Sequence, residues 1–279
     1  MTVLLYFLNV ACSAGQSTLS KYYASKGGNA NVFNINKVAA GFLIFLIIGL
    51  LRGLRFHIPT VLLGMAYGTC LYVSNFAGFT ALSMGPMALT SIIASFSLVI
   101  PFLAGITLWG EELSLWSSVG IALLLSSIVL MNFRKSGEPM SLKWLFFSFL
   151  TFFSNGISSL VQKQHQLLWP GSYRTEFMLW TMLWGLVLLG LTVLIRGTAK
   201  TEVRFCVPGT SAGLIEGIAN YVVLYLAATQ DASVLFPVVS AAKIIAVWII
   251  GRFTFREQLK HAQTLGLLAG IAAIVLLNL

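Results

Sequence analysis

Charge is what this chain has least of. Only 9% of its 279 residues are Asp, Glu, Lys or Arg, where a soluble domain carries about 25%. With 58% hydrophobic residues, the polar side chains are too few to cover a water-facing globule, which excludes a soluble protein. Acidic residues are the scarcer sign, 8 against 17 basic. The positive balance is no signal for nucleic acid. The basic residues fall mostly in short loops and at segment ends, where they orient a membrane protein and meet anionic lipid. Cysteine is sparse too. Cys12, Cys70 and Cys206 all lie in apolar segments. An odd number in such surroundings predicts free thiols and no metal site.

Catalytic signatures are also missing. There is no G-x-x-x-x-G-K-[ST] loop to cradle the phosphates of ATP. H-E-x-x-H, G-x-S-x-G and paired aspartates on one helix are absent. His57, His165 and His261 sit in loops or at segment ends, where a histidine serves as an interfacial polar residue. No enzyme and no cofactor are expected.

What the chain does have is apolar segments of membrane-spanning length. Ten can be placed, near 3–22, 35–52, 59–82, 86–109, 115–133, 141–163, 176–196, 206–228, 232–252 and 262–279. The breaks between them are too short to hold a soluble domain. In the first segment "LNVAC" puts Asn9 where a lipoprotein signal wants leucine, and no basic residue precedes the apolar run, so this segment reads as a helix.

The segments repeat. "SAGQSTL" (13–19) aligns with "SNGISSL" (154–160), and "LIIGLLRG" (46–53) with "GLTVLIRG" (190–197). Gly64, Gly68 and Tyr72 align with Gly213, Gly217 and Tyr221. Residues 110–132 align with 255–278. Residues 1–133 and 141–279 are thus two copies of one five-helix unit. An odd number of helices per copy sets the copies in opposite orientations, an arrangement typical of secondary transporters that bind solute near the midplane. The predicted fold is an all-α polytopic membrane protein of ten transmembrane helices in two inverted repeats.

This layout resembles the drug/metabolite transporter superfamily, in its ten-helix EamA-type branch. The motif that carries the resemblance is an acidic residue after the fourth helix of each half, followed by a glycine-bearing fifth helix. Here that is Glu111 or Glu112 with Gly120, and Glu257 with Gly266. The resemblance covers essentially the whole chain and implies a transporter of a small organic solute. One departure is Lys243 in the ninth segment, a helix in which that branch often has a proline; here Pro237 lies near its start. The basic residues concentrate in the odd-numbered loops, Lys37 counted among them and Lys163 with the even-numbered ones, which by the positive-inside rule puts both termini outside. The resemblance implies both inside.

Polar residues point to a solute path. Ser13, Gln16, Ser17 and Ser20 form one helical stripe, and Asn155, Ser158, Ser159 and Gln162 form another at matching repeat positions. The third segment carries Tyr67, Ser74 and Asn75, the fourth Thr90 and Ser97, the eighth Glu216 and Asn220, and the ninth Ser240 and Lys243. Serines bonded to their own helix are the plain alternative for any single position. Glu216 and Lys243 lie roughly 21 and 18 Å from the turn at Gln230 and Asp231, so they reach nearly the same depth on adjacent helices. Intramembrane charges are costly, tend to pair and mark pathways. The residues expected to contact solute are therefore Ser13, Gln16, Ser17, Tyr67, Asn75, Ser97, Asn155, Ser158, Gln162, Glu216, Asn220, Ser240 and Lys243.

Gly209, Gly213 and Gly217 recur every fourth residue and predict a helix face that packs closely on a neighbour. The fifth and tenth segments hold no charge within the span. They are expected to be peripheral and to offer a homodimer contact. The expected function is secondary transport of a small polar or amphipathic organic metabolite, amino-acid-like and proton-coupled in its sharpest form. A passive facilitator and a non-transporting membrane receptor or scaffold are the alternatives. The expected setting is the inner membrane of a prokaryote, with lipid and solute as partners and no nucleic acid.

Overall fold

The computed structural model describes residues 2–84, 90, 93–94, 96–112, 114–132, 141–196, 204–254 and 261–277. Among these the protein is entirely helical. The order is α1 (Thr2–Ser25), α2 (Ala30–Arg52), α3 (Ile58–Met84), a 3₁₀ turn (Phe96–Leu98) leading into α4 (Val99–Leu108), α5 (Leu115–Asn132), α6 (Leu142–Leu168), α7 (Arg174–Ile195), α8 (Val207–Leu226), α9 (Ala232–Thr254) and α10 (His261–Leu277). Among the described residues four helices are long and apolar enough to cross a membrane: Asn31–Arg52, Ile58–Gly78, Leu142–Leu168 and Arg174–Ile195.

Local chemistry sets several boundaries. Asn29 caps α2 by accepting from the Asn31 and Val32 amides, at 2.8 and 3.4 Å, which satisfies donors that the first turn leaves open. Gly53, with φ 78°, ends the same helix, because only glycine enters that backbone region cheaply. Pro208 stands in the first turn of α8, where its missing N–H costs nothing. Cys12, Cys70 and Cys206 are free thiols.

The chain forms two compact units. The first holds Met1–Tyr72 and Val161–Thr229, the second Val73–Leu160 and Gln230–Leu279. Each draws helices from both the N-terminal and the C-terminal part of the chain.

In the first unit α8 packs on α1 and α2, and α2 packs on α7. Glycine makes two of its contacts close. A Cβ at Gly213 would overlap the Lys37 carbonyl oxygen, one at Gly209 would lie 2.7 Å from the Phe33 carbonyl oxygen, and one at Gly217 would lie 3.3 Å from the Phe45 ring. The predicted glycine face of α8 therefore rests on α2. On α3, a Cβ at Gly64 would lie 3.0 Å from the Phe177 carbonyl oxygen, and one at Gly68 would lie 2.8 Å from that of Thr181, so α3 meets α7 in the same way. Phe45, Tyr67, Phe177, Met178, Met182 and Leu224 form the apolar core around these contacts.

In the second unit α5 packs along α10 and α9 along α4. Ser127 donates to the Gly266 carbonyl across the first of these seams. Buried Trp144 donates its indole N–H to Thr90, at 2.9 Å. Glu111 caps α9 from outside that helix: its two carboxylate oxygens accept from the amides of Ala232 and Ser233, at 2.7 and 2.8 Å. The acidic residue after the fourth helix thus has a structural task, since an anion at a helix N-terminus answers both the open donors and the dipole.

Candidate functional site

The charged centre of the first unit is an ion pair that the sequence reading missed. Lys37 and Glu216 meet at 3.0 Å, with 8% of the lysine side chain exposed and 33% of the glutamate side chain. Lys37 stands seven residues into α2 and Glu216 nine into α8, about 10 and 14 Å from the helix starts. The close glycine contact at Gly213, one turn before Glu216, lets α2 approach until the ammonium reaches the carboxylate. A lysine is rarely buried without such a partner.

Sequence reasoning paired Glu216 with Lys243 and counted Lys37 among the loop bases. In the structure Lys37 lies on that carboxylate. The helix-start signal at Asn29 was the clue. A helix from Ala30, rather than from 35, puts Lys37 in its third turn and inside the span. Lys163, also counted with the loops, is buried in α6.

Around the pair lie Tyr67, buried and near enough to Glu216 to feel its charge, and Asn220, half-buried one turn along α8. A third of the glutamate side chain is exposed while the ammonium is enclosed. The arrangement presents an acceptor backed by a buried cation.

Three buried polar atoms of the first unit lack partners among the described residues. They are the hydroxyl of Tyr6, Oδ1 of Asn9 and Nε2 of Gln162. Asn9 uses its other end, donating to the Ala219 carbonyl at 2.7 Å. Such orphans call for water or a polar guest, since native interiors satisfy nearly all buried polar groups.

A second polar cluster closes the end of the first unit where α3 and α7 start and α6 and α8 stop. Arg174 Nε donates to Gln166 Oε1 at 2.8 Å. That fixes the amide, so Gln166 Nε2 donates to His165 Nδ1 at 2.9 Å. His165 must then carry its proton on Nε2, facing Thr60 Oγ1 at 3.2 Å, and the Thr60 hydroxyl donates to His57 Nδ1 at 2.9 Å. Thr60, His165 and Gln166 are fully enclosed. His57 stacks on Tyr173, ring centroids 4.5 Å apart, and the Arg174 guanidinium lies 4.4 Å over the Tyr225 ring. The chain of donors runs one way, from Arg174 to His57, and passes through an amide that cannot relay a proton. A fully satisfied buried network of this kind rigidifies the helix ends it joins.

The other predicted residues divide between the two units. In the first, Ser13 and Gln16 are half-buried on α1, and Gln16 donates to Ser20 at 3.4 Å. The side chain of Ser17 lies outside the described residues. Gln162 is buried on α6. In the second, Asn155 accepts from Ser74, and Ser158 is bonded to its own helix through the Asn155 carbonyl, at 2.7 Å. Ser97 lies half-buried in the 3₁₀ turn, Asn75 is exposed on α3, Ser240 is half-buried on α9, and Lys243, one turn beyond Ser240, is exposed. The structure thus brings Glu216, Asn220 and Tyr67 together and adds Lys37. Among the described residues no cluster of three or more His, Cys, Asp or Glu could hold a metal ion.

No protein-family model matches the chain, and no curated protein does. Solved structures do match. One, described only as the crystal structure of a protein, aligns with 99% of this chain and 95% of its own, with a TM-score of 0.77 at 17% identity. At that identity the likeness establishes a shared fold over the whole length.

Proposed function

We propose that the chain is a secondary transporter of the drug/metabolite type, with ten membrane spans in two inverted five-helix repeats. It moves a small polar or amphipathic organic solute by alternating access. The observation that carries this reading is the Lys37–Glu216 pair: a buried ammonium and a half-open carboxylate inside an apolar helical unit. Fold maintenance does not require it, because Tyr67 stands at the repeat position matching Glu216 and the first half builds its helices without that acid.

The helix pairings support the repeat. Exchanging helices 1, 2, 3, 4 and 5 for 6, 7, 8, 9 and 10 turns the α1–α8 contact into the α3–α6 contact, and the α2–α8 contact into α3–α7. It leaves α2–α7, α4–α9 and α5–α10 in place. The aligned glycines Gly64 and Gly68, Gly213 and Gly217 make the matched close contacts.

Glu216 offers an acceptor to an amine or to a proton, and Lys37 offers a counter-charge once the acid is occupied. Tyr67 and Asn220 supply further hydrogen bonds. A solute bearing both an amine and an acid, such as an amino acid, suits that set. Purified protein in liposomes tests the reading. A panel of amino acids and organic cations is offered with and without a pH gradient. Accumulation that depends on the gradient and disappears in Glu216→Gln supports it. Absence of flux for every class, in protein that is folded and inserted, sinks it. Flux that only equilibrates marks a passive facilitator.

A further inference from the structure

At the end of the first unit where α1 stops and α2 and α8 start lies a cavity of about 520 Å³, lined among others by Tyr23, Asn29, Val32, Arg204, Phe205 and Cys206. Its walls are fixed. Asn36 donates to the Arg204 carbonyl at 2.6 Å and accepts from the Cys206 amide at 3.1 Å, which ties the strap before α8 to α2. Val32, Phe33, Cys206 and Ala212 pack together behind it, with Tyr23 resting on them. A Cβ at Gly28 would overlap the Tyr23 ring, so glycine leaves the room that ring fills.

Arg204 brings a positive charge to the lining, and no acidic side chain lies among its described residues. The first turn of α8 has no side-chain cap at Cys206, and Cys206, Val207 and Pro208 line the cavity. At the mouth, exposed Arg204 sits beside exposed Phe205 and Val207. A cation flanked by bare apolar residues at a helix start matches the boundary between water and hydrocarbon.

We propose that this cavity holds the headgroup of an anionic phospholipid. Arg204 takes the phosphodiester in its two-pronged geometry, the Tyr23 hydroxyl and the uncapped turn of α8 complete the cradle, and the acyl chains run over Phe205 and Val207. The apolar rim favours a lipid over a soluble phosphate ester, which has nothing to lay on it. The site is separate from the ion pair and does not depend on transport.

The test is native mass spectrometry of the full chain released from mixed bilayers of phosphatidylglycerol and phosphatidylcholine. Wild type should retain phosphatidylglycerol preferentially. Arg204→Gln, at an exposed position, should lower that retention about fivefold, the effect of one basic residue at an anionic surface. Tyr23→Phe should lower it less, and neither should alter phosphatidylcholine. Equal phosphatidylglycerol retention by Arg204→Gln and wild type overturns the proposal. So does full displacement of the lipid by equimolar glycerol 3-phosphate, which assigns the cavity to a soluble ester.

Discussion

Lys37 and Glu216 are 179 positions apart in the chain and 3.0 Å apart in the structure, and the two sides of the pair are not equally replaceable. Removing the acid strands an enclosed ammonium. Removing the base strands a carboxylate that is a third exposed. Breaking one partner of a buried pair costs about 3–5 kcal/mol. Glu216→Gln should approach the lower end of that range, and Lys37→Met should cost less. The double variant should recover most of the loss. Thermal unfolding of the four proteins in one detergent gives the cycle. A smaller loss for Glu216→Gln than for Lys37→Met contradicts the burial asymmetry. Transport assays on the same set separate structure from function: a stable double variant that is inactive assigns the pair to the solute path, and an active one makes it a structural bridge.

The glycine face of α8 makes a second prediction. Gly213→Ala puts a methyl group into the Lys37 carbonyl and forces α2 and α8 apart. Overpacking of this kind costs about 1–3 kcal/mol, and here it also pulls the ammonium from the carboxylate. Gly190→Ala is the control. Nothing lies within 4 Å of a Cβ there, and replacing glycine inside a helix gains about 0.8–1.0 kcal/mol. Melting temperatures should move in opposite directions. If both fall equally, close packing at Gly213 is not what the stripe provides.

These two cases show what the sequence carried and what it hid. Small residues every fourth position are a local pattern with one physical meaning, and the helix that they mark does lie close to a neighbour. The free thiols and the helix boundaries are equally local. Lys37 was hidden because a basic residue near the edge of an apolar run looks like a loop residue until the cap at Asn29 is read. Thr60 and His165 were hidden for another reason. Their contact joins residues 105 positions apart, and nothing in either neighbourhood announces the other. Glu111 falls between the two: its motif was legible, but the helix end it serves begins 121 residues later.

Glu111 gives the third prediction. Its two oxygens hold the first two amides of α9. Glu111→Ala removes both bonds and the charge at the helix start, worth about 1–2 kcal/mol by analogy with other N-caps. Glu111→Gln keeps one acceptor and should fall between. Hydrogen exchange reads this locally. The amides of Ala232 and Ser233 should lose protection in the alanine variant, while Val222 and Val223 near the end of α8 stay as they were. Unchanged exchange at Ala232 and Ser233 shows that α9 starts without help from Glu111.

The fourth prediction concerns which nitrogen of His165 carries the proton. Arg174 is always charged and can only donate, so Gln166 must turn its oxygen to the guanidinium. Its NH₂ group then faces His165 Nδ1, which has to accept. The neutral Nε2–H form follows, and protonating Nδ1 would set two donors against each other in an enclosed place. Nitrogen NMR of histidine-labelled protein should show His165 as the Nε2–H tautomer. Arg174→Met frees the amide to rotate, so the variant should admit the Nδ1–H tautomer and lose the single sharp signal. Gln166→Glu keeps a partner for Arg174 but presents an acceptor to Nδ1. It should drive the proton onto Nδ1 and reverse the donor chain through Thr60 to His57. An Nδ1–H signal in the unmodified protein would mean that the chain runs the other way, and that Arg174 does not set its direction.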